Sequence, residues 1–206
     1  MKAADLDAVV VDAYGTLMTL VDPVPALVEV LAERGESRTP DVVRSGVEAE
    51  IAYYAPRASE GRDEPSLAKL QRDCARVFLD AVDAPLDPEV FAPAYVGALR
   101  FEPLPGVEGS LELLRARGLA LAVVGNWDLT LRDRLAEVGL ASFFACVVHS
   151  ADKPAPDGLL RAVAQLSTEP ARSLYVGDTD SDRAAAAAAG MPFIPAPLAA
   201  AVSALT

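Results

Sequence analysis

Four short polar segments, each placed directly after or near the end of an apolar run, contain the residues that could do chemistry. These segments are Asp12-Ala13-Tyr14-Gly15-Thr16, Gly125-Asn126-Trp127-Asp128, Asp152-Lys153-Pro154 and Gly177-Asp178-Thr179-Asp180-Ser181-Asp182. Most of their ionisable groups are carboxylates, joined by one lysine. A carboxylate can act as a nucleophile that forms and then releases a covalent intermediate. Several carboxylates together can bind a hard cation such as Mg²⁺.

Taken singly, each segment has an ordinary structural explanation. An Asp close to a Gly is usually a turn residue, and a Lys before a Pro is usually exposed. Asp178, Asp180 and Asp182 could cap a helix and put negative charge in its first turn, where the helix dipole favours it. Their common placement after apolar runs favours a shared site, because ligands of open parallel sheets bind at the carboxyl ends of the strands.

The apolar runs that position these segments are predicted to be strands. They cover residues 8–11, 119–124, 146–148 and 173–176, with 192–194 as a candidate fifth. Amphipathic patterns predict helices at 108–117, 129–138, 156–166 and 181–189, several of which end at glycine. This alternation predicts an α/β fold, a parallel sheet with helices on both faces.

Residues 20–103 interrupt the alternation. They contain no clear apolar strand, and helical patterns cover 26–34, 40–54, 66–82 and 88–100, with a charged, turn-rich loop at 56–65. We therefore predict two domains. Residues 1–19 and 104–206 form the sheet core, and residues 20–103 form an inserted helical domain.

Composition limits the class of partner. Hydrophobic residues make up 52% and charged residues 23% of the 206 residues, which is typical of a globular protein. The formal net charge of −12 should repel nucleic acid and anionic membranes, so we expect neither as a partner. Two distant cysteines, Cys74 and Cys146, indicate reduced thiols, and neither a signal peptide nor a membrane-spanning run is evident. A cytoplasmic location is expected.

In order and residue type, the four segments resemble the four motifs of the haloacid dehalogenase superfamily, and the helical insert resembles its class I cap. The resemblance covers nearly the whole chain. It implies a Rossmann-like core and a hydrolase in which Asp12 is the nucleophile and forms a covalent aspartyl intermediate. It also implies that Lys153 balances charge on the nucleophile and substrate, and that Gly177, Asp178 and Asp182 form the acidic motif that helps to hold magnesium.

A magnesium ion shared by Asp12 and Asp178 would offset the repulsion between the nucleophile and a phosphate. The position of the Tyr14 carbonyl matches a third ligand in the family, and Thr16 could hydrogen-bond near the nucleophile. Mg²⁺ is therefore the expected cofactor, bound by Asp12, Tyr14, Asp178 and Asp182.

The expected substrate contacts are Thr16, Gly125, Asn126 and Trp127. Trp127 could line the substrate pocket or only pack beneath the cap. We expect the substrate to be a small anionic molecule, and the protein to be a monomer or homodimer.

Two positions depart from the phosphatase pattern. Phosphatase members of the family resemble Asp-x-Asp, in which the second Asp protonates the leaving group and then activates water, whereas this chain has Tyr14. A phenol is a poor base near neutral pH. The Asp-x-Tyr-Gly-Thr-Leu form resembles the L-2-haloacid dehalogenases instead. At Gly125 the family usually has Ser or Thr, so a hydroxyl for the substrate anion is missing and only the backbone N–H and the neighbouring Asn126 side chain could donate.

The acidic fourth segment supports a phosphatase instead of a dehalogenase. It resembles the phosphatase form, whereas dehalogenases resemble Ser-Ser-Asn with a later Asp and need no magnesium. Only Arg38, Arg44 and Arg57 are candidates for the cap arginine that dehalogenases use to clamp a carboxylate. The leading hypothesis is a Mg²⁺-dependent phosphatase, with Asp12, Tyr14 and Lys153 as catalytic residues. The alternatives are a metal-independent L-2-haloacid dehalogenase and a binding or regulatory protein with impaired catalysis.

Overall fold

The computed structural model describes residues 5–205, which belong to two compact units. One unit combines Met1–Thr19 with Phe101–Thr206, and the other is the continuous segment Leu20–Arg100. The seven strands of the described residues are β1 (Ala8–Val11), β2 (Met18–Leu20), β3 (Phe101–Pro103), β4 (Ala120–Val124), β5 (Cys146–Val148), β6 (Ser173–Gly177) and β7 (Phe193–Pro195).

The α-helices of the same residues are α1 (Val24–Ala32), α2 (Pro40–Tyr54), α3 (Glu64–Ala81), α4 (Pro88–Ala98), α5 (Val107–Ala116), α6 (Leu131–Glu137), α7 (Asp157–Gln165), α8 (Asp180–Ala189) and α9 (Leu198–Ser203). Short 3₁₀ helices cover Ala55–Glu60, Ala141–Phe143 and Pro170–Arg172. Within residues 5–205, none of the helices has both the length and the apolar character that crossing a bilayer requires.

Five strands form one parallel sheet in the order β5-β4-β1-β6-β7. The central strand β1 is aligned with both neighbours, so that Val11 faces Val123 of β4 and Val176 of β6. All four β1 residues are buried, as expected for a strand covered on both faces. The parallel, Rossmann-like α/β fold predicted from the sequence is confirmed.

Alternate residues of each strand pack against different helices, because successive side chains of a strand point to opposite faces. One face contains Val9 and Val11 and packs with apolar residues of α5, α6 and α9. The other contains Val10 and Tyr175 and packs with α7 and the alanine-rich face of α8. The carboxyl ends of β1, β4, β5 and β6 therefore lie side by side along one edge of the sheet.

The helical unit has its own hydrophobic core, formed by α1 to α4. Phe78, Phe91 and Tyr95 are in mutual ring contact, with the Phe78 and Tyr95 centroids 4.9 Å apart. Gly46 of α2 allows close packing, because a Cβ there would lie 2.5 Å from a methyl group of Val82. Most of the stability of this unit comes from packing of this kind.

The structure differs from the sequence-based expectation at several places. Residues 56–65 were predicted to be a loop, but Ala55–Glu60 is a 3₁₀ helix, and α3 starts two residues earlier than expected because Asp63 caps it through Ser66. The predicted helix 88–100 ends at Ala98, since Leu99 is already extended. Helix α9 was not predicted, and α1 starts and ends two residues earlier than the predicted helix 26–34. The strands β2 and β3 pair with each other and were not predicted, because their pairing joins positions far apart in the chain.

Candidate active site

Asp12 lies immediately beyond the central strand, and backbone hydrogen bonds of Asp12 itself and of the next residue fix its position. Its N–H donates to the Val176 carbonyl at 2.9 Å, which extends the β1–β6 pairing by one residue. The next residues turn sharply, because the Ala13 carbonyl accepts hydrogen bonds from the N–H groups of Leu17 and Met18. This turn leaves the Asp12 side chain only 8% exposed at the edge of the sheet.

Glycine at position 15 lets the turn approach the fourth segment. Gly15 has φ +78°, and a Cβ at this position would lie 2.2 Å from Oδ2 of Asp178. Thr16 Oγ1 donates to Asp178 Oδ1 at 3.4 Å. The turn after β1 and the loop after β6 are thus in direct contact through Gly15, Thr16 and Asp178.

Lys153 joins two carboxylates of the site. Its Nζ lies 2.5 Å from Oδ1 of Asp12 and 2.5 Å from Oδ1 of Asp182, and the lysine side chain is only 5% exposed. Nζ also donates to the Tyr175 hydroxyl at 3.1 Å. A buried ammonium with three oxygen partners uses all three of its donor hydrogens.

Asp182 is completely buried and accepts hydrogen bonds on both carboxylate oxygens. Oδ1 accepts from Lys153 and from the Tyr175 hydroxyl, the latter at 2.7 Å. Oδ2 accepts from the N–H and the hydroxyl of Thr179, at 3.0 and 2.6 Å. The same contacts cap α8, so the capping interpretation and the shared-site interpretation of this segment apply together.

Tyr175 is the functional candidate that the sequence reasoning missed. It lies in the middle of β6, is fully buried, and its hydroxyl contacts both Lys153 and Asp182. The missed signal was a tyrosine inside an otherwise apolar strand, because a buried hydroxyl needs a polar partner.

Burial and charge shift the pKa values of this cluster in different directions. Burial raises the pKa of Asp12 to about 7, because it outweighs the attraction of the Lys153 charge, and the charge of Asp182 adds to the increase. For Asp182, burial also raises the pKa, but Lys153, Thr179 and Tyr175 stabilise the carboxylate more and lower its pKa overall. Burial alone lowers the pKa of Lys153, but the two carboxylates outweigh it and raise the pKa. The ammonium form of Lys153 is therefore strongly favoured.

The loop that presents Lys153 is fastened to the loop after β4. The Asn126 side chain donates to the Lys153 carbonyl at 3.0 Å and accepts from the Lys153 N–H at 2.8 Å. The Gly125 N–H donates to the Val148 carbonyl at 3.0 Å, and the Gly125 carbonyl accepts from Ala151. The expectation that the Gly125 N–H is available to a substrate is wrong, because β5 already uses it.

The two aromatic candidates occupy different environments. Trp127 is 7% exposed and packs in the core, with its ring centroid 5.2 Å from Phe101 and its Nε1 donating to Thr130. Tyr14 is 51% exposed, and its ring centroid lies 6.4 Å from that of Trp127. Of the two rings, only that of Tyr14 is substantially open to solvent.

Comparison with known proteins decides the family. A profile of haloacid dehalogenase-like hydrolases matches residues 6–190 of this chain. The chain belongs to the haloacid dehalogenase-like hydrolases. The resemblance of the four motifs is thereby confirmed, and the chain is a hydrolase.

Proteins similar to this hydrolase include a phosphatase that matches in sequence and dehalogenases that match in fold. It is 30% identical over 205 residues to a phosphoglycolate phosphatase of Salmonella typhi, a match that covers 93% of this chain and 79% of the relative. An L-2-haloacid dehalogenase structure aligns with a TM-score of 0.70 at 18% identity, covering 97% of this chain and 98% of that one. The L-2-haloacid dehalogenase of Xanthobacter autotrophicus aligns with a TM-score of 0.62 at 24% identity, covering 91% and 76%. The two structural matches establish the fold.

The carboxylates of this haloacid dehalogenase-like hydrolase fit a divalent cation. One oxygen each of Asp12, Asp178 and Asp182 lies within 4.8 Å of the others. Lys153 contacts Oδ1 of Asp12, so Oδ2 is the Asp12 oxygen that is not paired with the lysine, and the Asp178 carboxylate is exposed. Asp182 fits less well as a direct ligand, because four protein donors already occupy its oxygens. Hard oxygen ligands with room for water suit Mg²⁺.

Substituting Gly15→Ala should damage both stability and catalysis. The new Cβ would collide with Asp178, and the left-handed backbone alone costs about 1–2 kcal/mol for a non-glycine residue. Gly118→Ala is a matched control, because Gly118 has φ +77° and nothing within 4 Å of its added Cβ. Thermal unfolding should show a loss of stability for Gly118→Ala that reflects backbone strain alone, and a larger loss for Gly15→Ala. Hydrolase assays should likewise show a larger loss of activity for Gly15→Ala. Equal behaviour of the two variants would contradict the close contact.

Proposed function

We propose that this hydrolase is a Mg²⁺-dependent phosphatase of small phosphorylated metabolites, with Asp12 as the nucleophile. The proposal rests on the convergence of Asp12 and Asp178 at the end of β1 and β6, next to the buried Lys153. Relatives that match almost the whole chain include phosphoglycolate phosphatases, which supports a phosphate ester as the substrate type.

In the proposed reaction, some residues of the site contact the substrate or the metal, and others only position them. Asp12 Oδ2 attacks phosphorus, while Oδ1 stays bound to Lys153, which fixes the carboxylate and offsets negative charge that a phosphate brings. Asp12, Asp178 and the Tyr14 carbonyl would hold the Mg²⁺. Bound Mg²⁺ supplies positive charge that draws the phosphoryl group to the carboxylate. Asp182 and Tyr175 position Lys153 and do not touch the substrate.

Hydrolysis of 4-nitrophenyl phosphate tests the proposal. Turnover should need Mg²⁺ and disappear in EDTA, and Asp178→Asn should raise the Mg²⁺ concentration required for half-maximal activity. Asp180→Asn is the matched control, because Asp180 is exposed and belongs to the same segment without contacting Lys153. Undiminished turnover in EDTA would contradict the proposal. A folded protein that hydrolyses nothing would point to the binding or regulatory alternative.

A metal-independent 2-haloacid dehalogenase is the second candidate, and the tyrosine at position 14 favours it. A halide leaves as a stable anion and needs no proton, so a site without a second aspartate could suffice. The candidate clamp residues Arg38, Arg44 and Arg57 each have partners inside the helical unit, among them backbone carbonyls, a carboxylate and a tyrosine ring.

Oxygen labelling distinguishes the two candidates. An alkyl ester of Asp12 is hydrolysed at its carboxyl carbon, so turnover of 2-chloropropionate in H₂¹⁸O would place ¹⁸O in the peptide containing Asp12. Phosphatase turnover by attack at phosphorus would place the label in inorganic phosphate. Mass spectrometry of both products therefore assigns the reaction.

A further inference from the structure

Building on the proposed phosphatase activity, we infer that the site selects substrates whose leaving group departs as a stable anion. Acyl phosphates are the metabolite class that meets this requirement, in preference to alkyl phosphates such as 2-phosphoglycolate. The inference rests on the geometry of the proton donors around Asp12. Within the described residues of the sheet unit, each of them already donates to another group, lies far from Asp12 or is exposed to solvent.

The buried groups next to Asp12 cannot act as the leaving-group acid. Lys153 donates its three hydrogens to Asp12, Asp182 and Tyr175, and removing its proton would leave two carboxylates without a cation. Tyr175 donates its own hydrogen to Asp182, which accepts on both oxygens and so is held as the carboxylate. Asp178 is assigned to the metal. None of these groups has a proton to give.

The remaining candidates are a distant histidine and an exposed tyrosine. The chain has one histidine, His149, which follows β5, two strands away from β1 and hence about 10 Å from it across the sheet. Its Nδ1 is within 3.0 Å of the Ser150 hydroxyl. Tyr14 is close in sequence to Asp12, but its side chain is half exposed, and its ring lies against Trp127 with the two centroids 6.4 Å apart. A general acid needs to reach the leaving-group oxygen.

The first chemical step then proceeds without proton transfer to the leaving group. Asp12 Oδ2 forms a bond to phosphorus, the bond from phosphorus to the leaving oxygen breaks, and that oxygen keeps the electron pair. A carboxylate leaving group is stable in this form, because carboxylic acids ionise near pH 4. An alkoxide is not stable in this form, because an alcohol, like water, gives up its proton far less readily than a carboxylic acid does.

The second step, hydrolysis of the aspartyl phosphate, also needs a leaving group that is stable as an anion. The aspartyl phosphate formed on Asp12 is itself an acyl phosphate. Water adds its oxygen to phosphorus, Asp12 leaves as a carboxylate, and the two protons of the water remain with the inorganic phosphate or pass to solvent. A site that can release its own carboxylate without an acid can release another carboxylate equally well.

A leaving-group series tests the inference. We would measure kcat/KM with Mg²⁺ for acetyl phosphate, 4-nitrophenyl phosphate, phenyl phosphate and 2-phosphoglycolate, with Asp12→Asn as the blank for spontaneous hydrolysis. The wild-type protein should favour acetyl phosphate over 2-phosphoglycolate by more than about 10³-fold, within the range that a general acid contributes. Tyr14→Asp should raise turnover of 2-phosphoglycolate by about 10²-fold and narrow this ratio. In Tyr14→Phe, kcat/KM should depend on the acidity of the leaving group with the same slope as in the wild-type protein.

The outcomes separate the inference from the proposed function. Comparable hydrolysis of acyl and alkyl phosphates by the wild-type protein would overturn the inference and leave the phosphatase intact. A steeper slope in Tyr14→Phe would also overturn it, because the phenol would then be the acid. Turnover of no phosphate at all would overturn both. The wild-type series decides the matter even where Tyr14→Asp does not fold.

Discussion

Asp12→Asn should abolish turnover, lowering kcat/KM by on the order of 10⁴-fold or more, as expected when a nucleophile is removed. The amide is nearly the same size as the carboxylate, so the turn after β1 and the Asp12 N–H bond to Val176 should persist. Steady-state assays at saturating Mg²⁺ measure the loss. Asp180→Asn should retain activity, and an active Asp12→Asn protein would disprove the nucleophile assignment.

The same substitution should stabilise the metal-free protein at neutral and alkaline pH. The folded-state pKa of Asp12 is raised to about 7, so the folded protein binds a proton more tightly than the unfolded chain does. The wild-type protein therefore loses stability as the pH rises from about 4 to 7, by up to about 4 kcal/mol for a shift of this size. Asp12→Asn lacks this loss.

Urea unfolding in EDTA at several pH values checks this. The free energy of unfolding of Asp12→Asn should exceed that of the wild type above pH 7, and the two should converge below pH 4. A constant difference across this range would show that the Asp12 carboxyl does not titrate in the folded protein as described.

Lys153→Met should cause a large loss of stability. It leaves Asp12 and Asp182 buried beside each other without their shared cation, and breaking a buried ion pair from one side costs about 3–5 kcal/mol. The cost should be largest above pH 7. The cost should shrink as the pH falls below about 7, because Asp12, whose pKa burial raises to about 7, then takes up a proton and no longer needs the cation. Catalysis should fail at every pH.

Lys69→Met provides the matched control. Lys69 pairs with Asp73 at 2.7 Å on the surface of α3, with a side chain 67% exposed, so its removal should cost at most about 0.5 kcal/mol. Chemical denaturation of both variants gives the comparison. Similar losses for the two lysines would mean that Lys153 is far less buried or less strongly paired than the structure indicates.

The central strands β1, β4 and β6 were predictable because they are apolar runs of four or five residues that end at or next to aspartate or glycine. Residues 8–11 were assigned to a strand with the observed bounds, and residues 40–54 to a helix with the observed bounds. The three-residue strands β2 and β3 were not predictable, because their pairing depends on a contact between positions more than eighty residues apart in the chain. Helix ends such as that of α3 depended on a cap at Asp63 that had been assigned to a loop.

The site was predictable as a set of strand ends but not as a network. Sequence spacing brought Asp12, Lys153, Asp178 and Asp182 to one edge of the sheet. It did not show that Lys153 contacts both Asp12 and Asp182, nor that the Tyr175 hydroxyl also contacts Lys153. The position of a tyrosine in a strand does not indicate which groups its hydroxyl contacts. The engagement of the Gly125 N–H by β5 was equally invisible, since the strand order decides it.

The way the chain enters and leaves the helical unit has a consequence for its evolution. The N–H of Val21 donates to the carbonyl of Arg100 at 2.9 Å, so the two ends of the segment Leu20–Arg100 are one hydrogen bond apart. A segment whose ends meet can be lengthened, shortened or replaced by another module without changing the distance that its host must bridge. The helical unit can therefore be exchanged as a module while the sheet and its carboxylates stay the same.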